Sequence, residues 1–201
     1  MKYIKMATSF NFGEVISVIV ASVFLPFLPE TPIQLLVEGL LYDFGQMTIP
    51  FDNVDKEYLK TPKRFDIKSL KNFMIFMGPV SSIFDFIVFI VLWFVFEVRD
   101  VMNFQTIWFT YSIVSNLVGM HIIRTAKIPF VQSNANKIVY LSSGLIIIIG
   151  ILVPFTKLGY AIGLVPIGIK YIGMIFVVTI LYCFVASFAK KIYIKRYGEW
   201  I

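Results

Sequence analysis

The sequence predicts an all-α fold: a polytopic membrane bundle of about six transmembrane helices, with residues 1–201 as one unit. Three observations predict it. Hydrophobic residues make up 58% of the chain and charged ones only 15%, against about 45–50% and 25% for a soluble domain, so lipid must solvate part of the apolar surface. Six apolar runs approach or exceed the ~17–25 residues a spanning helix needs. The basic residues fall almost entirely in alternate gaps between those runs.

The first run covers residues 3–28, polar in its first half and apolar in its second. The second, residues 32–49, is the least hydrophobic and contains Glu38, Tyr42, Asp43 and Gln46. The third to sixth cover residues 73–96, 105–123, 138–154 and 171–189. The runs are continuous, as in Leu145-Ile146-Ile147-Ile148-Ile149, without the alternation of a membrane barrel. Helices also satisfy every backbone group internally, as hydrocarbon requires. Asn11 and Glu14 interrupt the approach to the first apolar stretch, and no small-x-small site follows it, which argues against a cleaved leader.

Lys2 and Lys5, the six basic residues of 50–72, Arg124, Lys127 and Lys137, and the four of the tail give fifteen basic residues in one set of gaps. Only Arg99, Lys157 and Lys170 lie in the other. The positive-inside rule then puts both termini and the two basic loops in the cytoplasm. The net charge of +6 is explained by this asymmetry, and no basic-aromatic patch points to nucleic acid. Trp93 and Trp108 are expected at interface depth. His121 and Arg124 are expected as interfacial groups at the basic end, with Arg124 snorkelling. Pro29-Glu30-Thr31-Pro32 is short enough to make the first two spans an antiparallel hairpin with an external turn. The single cysteine, Cys183, excludes a disulfide framework and a cysteine metal site.

A charge at the centre of a span costs about 2.5–3.5 kcal/mol on insertion scales, so intramembrane carboxylates mark candidate sites. There are four: Glu14, Glu38, Asp43 and Asp85. Asn11 and Glu14 share one helix face, and Gly39 and Asp43 share another. Glu38 is about 140° from Asp43 on a regular helix and cannot point the same way. A hairpin would let Asn11 and Glu14 face Gly39 and Asp43, a cluster of hard oxygens suited to a divalent cation such as Mg²⁺ or Ca²⁺. Gly39 and Gly45 would let the second helix unwind locally. For all of these the competing reading is a hydrogen-bond network that holds helices together. That reading is the stronger one for Glu38 and for Asp85. No nucleophile-base arrangement or zinc motif is present.

Several blocks resemble the bacterial magnesium-transporting branch of the P-type cation pumps. They include Asn11-Phe12-Gly13-Glu14-Val15, Leu40-Leu41-Tyr42-Asp43, the stretch from Asp52 to Arg64, and Gly78-Pro79-Val80-Ser81-Ser82-Ile83-Phe84-Asp85. His121-Ile122-Ile123-Arg124-Thr125 and the ending Tyr193 to Trp200 complete the set. The resemblance covers essentially the whole chain and implies the fifth to tenth membrane helices of such a pump. It implies a plasma-membrane location and magnesium ion as the transported cation. It also implies metal-binding roles for Asn11, Glu14 and Asp43, with Gly39, Glu38 and Asn116 as weaker candidates. Gly39 departs from the family's asparagine, and Glu14 from the amide usual in the magnesium branch. No Asp-Lys-Thr-Gly motif or nucleotide pocket accompanies these helices, so the resemblance implies no ATP site in this chain. It implies a partner: the phosphorylation-bearing N-terminal half, or an intact pump. The alternatives from the sequence are a freestanding six-helix regulator, a channel or carrier, or a non-functional remnant.

Overall fold

A computed structural model describes residues 2–53 and 66–200. The charged stretch at Asp55 to Arg64, which carries four of the basic residues counted above, lies outside the described residues. Among the described residues there is no strand. The helices are α1 (Lys2–Phe24), α2 (Pro32–Gln46), α3 (Ile67–Ile90), α4 (Val101–Ile123), α5 (Lys137–Leu152), the short α6 (Lys157–Ala161) and α7 (Ile169–Tyr197). α3 continues through a wider i→i+5 turn at Val91–Val95, where the Phe96 amide reaches the Val91 carbonyl.

Helix starts follow local chemistry. Asp66, Asp100 and Asn136 each accept a backbone N–H of the first turn of α3, α4 and α5, offsetting donors that a helix N-terminus leaves unpaired. Thr31 and Gln34 form a reciprocal capping box, with Pro32 at the first helical position of α2.

α4 is the hub. From Phe104 to Ile123 only Asn116 and Val118 are less than fully buried. α2, α3, α5 and α7 pack around it. The outer helices turn large apolar side chains outward, among them Val23, Phe24, Phe94, Leu141 and Phe184, the surface a bilayer would cover. α1 lies along α3 through small residues. A Cβ added to Gly13 would sit 2.7 Å from the Gly78 carbonyl oxygen, and Ser82 Oγ donates to the Gly13 carbonyl at 2.8 Å. Ser9, Gly13 and Ser17 recur every four residues and are all buried, the small-xxx-small stripe that lets two helices approach in lipid.

The segments flanking the basic loops meet at one end of the bundle. Arg124 pairs there with Asp52 at 3.1 Å, and Lys2 reaches the same carboxylate at 3.4 Å. Lys190 Nζ donates to the carbonyls of Ile122, Thr125 and Lys127 at 2.9, 3.0 and 2.9 Å, a cation at the negative end of the α4 dipole. Gly198, at φ +69°, ends α7 in the left-handed conformation that glycine tolerates. The tail then folds back: Glu199 pairs with Ser69, and Trp200 Nε1 donates to the Ile123 carbonyl at 2.8 Å.

Among the described residues, five stretches are long and apolar enough to cross a membrane: Lys2–Phe24, Ile67–Val95, Val101–Ile123, Lys137–Phe155 and Ile169–Tyr197. The expected second span is α2 alone, 15 residues or about 22 Å, short of a hydrocarbon core of about 30 Å. The expected antiparallel pair is present but splayed: Tyr3 bonds Asp43 and Phe10 packs on Tyr42, while α1 packs mainly on α3, and α2 on α4 and α5. Trp108 also departs from its expected interfacial place. It is fully buried and donates to Asp85, whereas Trp93 lies under the Arg99 guanidinium, 3.8 Å from the ring centre.

Candidate intramembrane cation site

Because α1 and α2 lean on different neighbours, a groove of about 420 Å³ opens between them. It is lined by Asn11, Glu14, Val15, Val18, Ile19, Leu35 and Gly39. Three of the sequence-derived candidates, Asn11, Glu14 and Gly39, thus share one concavity. Gly39 has nothing within 4 Å of where a Cβ would sit; its missing side chain keeps the groove open rather than unwinding the helix, and α2 is regular through it. Gly45 serves packing instead, with Leu117 filling the space beside it and its carbonyl accepting from Ser142 Oγ at 3.0 Å.

Asp43 is exposed and lies nearer the basic end, where it accepts a hydrogen bond from Tyr3 Oη at 3.3 Å. Tyr3 precedes Asn11 by eight residues, about 12 Å along α1, so Asp43 marks the margin of the groove rather than its lining. Asn116 is half-buried on α4 and takes no part in the lining. Asp85 is held by two donors, Ser17 Oγ at 2.5 Å and Trp108 Nε1 at 3.4 Å. It is a helix-packing contact joining α1, α3 and α4.

Glu38 points away from Asp43, as the helical angle requires, and into the bundle. There it meets Glu14 and a residue that sequence reasoning left in an external turn, Glu30. One carboxylate oxygen from each of Glu14, Glu30 and Glu38 lies within 4.8 Å of the others. Glu14 precedes the end of α1 by ten residues, about 15 Å, a separation that the reach of the Glu14 and Glu30 side chains and an inward turn of the chain at Pro29 and Glu30 close together. Gln105 and Gln34 fix this turn: Gln105 Nε2 donates to the Leu28 carbonyl at 2.9 Å, and Gln34 Nε2 to the Ile162 carbonyl at 3.1 Å. Two signals for it exist in the sequence. Pro26-Phe27-Leu28-Pro29 is apolar yet cannot be helical, and α2 is too short to cross by itself.

Glu30 and Glu38 are each 1% exposed, and no donor from another described side chain or backbone group reaches their four carboxylate oxygens. At 4.8 Å and an effective dielectric of about 20, each ionised pair would repel by about 3.5 kcal/mol. The three groups therefore require protons or a cation.

Comparison with known proteins shows the family. Residues 27–192 match the family described as cation transporting ATPase, C-terminus. The chain belongs to that family. Its relatives include two proteins named magnesium-transporting ATPase, P-type 1. The one from Salmonella typhimurium strain LT2 is 44% identical over 203 residues, covering 100% of this chain and 22% of the relative. The one from Escherichia coli K12 is 41% identical over 201 residues, covering 98% and 22%. This member of the cation-transporting ATPase C-terminus family thus spans about a fifth of the length of the curated relatives it matches. Within it, the groove and carboxyl cluster both lie where α1, the 25–31 segment and α2 meet.

Proposed function

We propose that this chain forms the membrane helices, counted as the fifth to tenth, of a P-type pump that transports Mg²⁺, and that the α1/α2 groove is its half of the ion path. The observation that carries the reading is the groove itself. Asn11 and Glu14 open sideways onto an otherwise apolar surface, a place where lipid would leave both groups unsatisfied and another protein segment would complete their coordination. Mg²⁺ keeps several waters and is held by one or two carboxylates. Glu14 supplies one, Asp43 at the groove margin a second, and Asn11 a neutral oxygen. The open space at Gly39 leaves room for water. The energy for transport would come from phosphorylation elsewhere in the pump. The pump would lie in the plasma membrane, with the basic end and both termini cytoplasmic.

The test is Mg²⁺ uptake in cells by this chain assembled with the phosphorylation-bearing remainder of the pump, normalised to assembled protein. Asp43→Asn should abolish transport, and Glu14→Gln should weaken it less, since an amide still offers an oxygen. Wild-type transport by correctly assembled Asp43→Asn would refute the site.

A further inference from the structure

We propose that Glu14, Glu30 and Glu38 form a second, inner divalent-cation site, behind the groove and entered from it through Glu14. The inference rests on the groove as an ion route, but it concerns binding to Glu30 and Glu38, which the outer reading does not use.

Two independent observations point to a ligand. The first is spacing. A cation with oxygens at 2.3–2.6 Å, the Ca²⁺ range, spans about 4.6–5.2 Å between opposite ligands, and Mg²⁺ at 2.0–2.1 Å spans about 4.2 Å. The 4.8 Å reach of the cluster accepts the larger ion as it stands and the smaller after a shift of a few tenths of an ångström. The second is the state of the ligands. Glu30 and Glu38 are almost wholly buried, point at one another and at Glu14, and receive no donor from any other described group. Asp85, buried at a comparable depth, is supplied with two donors, so this fold can satisfy a buried carboxylate when the role is structural. At the cluster it does not.

The backbone fits the role. Residues 25–31 are non-helical; Pro29 and Glu30 turn into the bundle while Pro26 and Leu28 stay exposed, and Gln105 and Gln34 anchor the segment. Irregular backbone at membrane depth is tolerated where it is enclosed by protein or lines a cavity. Glu14 belongs to both the groove and the cluster, so an ion can pass from Asn11 and Gly39 to Glu30 and Glu38 without leaving a carboxylate. A divalent ion displaces the protons that otherwise neutralise the cluster: protonated carboxyls give up H⁺ to water, and the carboxylates take the metal. Hard oxygen donors select Mg²⁺, Ca²⁺ or Mn²⁺ over softer metals.

The experiment is equilibrium binding of Mn²⁺ to the full chain in nanodiscs at neutral pH, read by electron paramagnetic resonance, with Mg²⁺ and Ca²⁺ as competitors. The expected result is saturable Mn²⁺ binding displaced by both. Glu30→Gln and Glu38→Gln should each weaken it by about tenfold or more, through the lost ligand charge. Infrared difference spectra of the wild type give a readout that does not depend on variants folding: adding Mg²⁺ should remove a protonated-carboxyl band. Unchanged binding in both glutamine variants, no binding by the wild type, or no loss of that band would overturn the site and leave a proton-bearing cluster. If Asp43→Asn abolishes transport while Glu30→Gln and Glu38→Gln bind Mn²⁺ normally, the outer reading survives and the inner one falls. Mn²⁺ binding that depends on Glu30 and Glu38, with normal transport by Asp43→Asn, is the reverse.

Discussion

Arg124 and Asp52 are both almost wholly buried, 3.1 Å apart, and Asp52 also accepts the Asn136 amide at 3.3 Å. Removing one member of a buried pair is costly, typically 3–5 kcal/mol, although Lys2 also reaches Asp52 at 3.4 Å and offsets part of it. Arg124→Met should therefore lower thermal stability in detergent by up to about that much, and Asp52→Asn added to it should recover part of the loss. If the double variant is no more stable than Arg124→Met, the pair is not the source of the cost. The sequence placed Arg124 as a snorkelling interfacial group and His121 as an anchor. Instead His121 is buried, stacks on Tyr140 and pairs with Ser143 at 2.9 Å. Both miscast residues have the same cause. A lone basic residue at a span end looks solvent-bound until its partner is known, and the partners, Asp52 and Ser143, lie 72 and 22 residues away. Asp85 was legible for a different reason, since one intramembrane carboxylate must find donors somewhere.

Two glycines at the element scale should respond in opposite ways. Gly13 lies where α1 meets the Gly78 backbone, and Gly39 faces open groove. Gly13→Val must push α1 off α3, with a cost of about 1–3 kcal/mol as for other overpacked contacts. Gly39→Ala meets nothing and gains helix propensity, up to about 1 kcal/mol in its favour. Thermal melts of the two purified variants check both signs; equal destabilisation would mean that the groove is closed. Apolar length alone located the five long helices, because a span must exceed a minimum length and the loops between them are polar. Length failed at α2, which is short and follows a proline-broken segment. Helix periodicity has no purchase on Pro26 to Thr31, so Glu30 could not be assigned a face, and the cluster it completes was read from the sequence as a pairing of Glu14 with Asp43.

For the whole molecule, the fold depends on which end of the bundle each connection occupies. Asn53 Nδ2 donates to the Asn134 carbonyl at 3.2 Å, so the connections after α2 and after α4 share an end, together with Lys2, Asp52 and the tail. An even number of crossings separates any two of these points, and α2 must then cross despite its length. Reporter fusions after Asn53, Asn103, Asn134 and Thr156 should read inside, outside, inside and outside, by the basic asymmetry of the loops. That pattern alone would also arise from an ordinary hairpin with Glu30 in the outer medium. Cysteine labelling separates the two arrangements. In a Cys183→Ser background, Lys157→Cys lies on an exposed turn at the opposite end from the termini, and a membrane-impermeant thiol reagent added outside should modify it readily. Glu30→Cys replaces a side chain that is 1% exposed and should react far more slowly from either side. Equal rates at the two positions would return the turn to the outer surface, separate Glu30 from Glu14 and Glu38, and leave the bundle with six conventional spans.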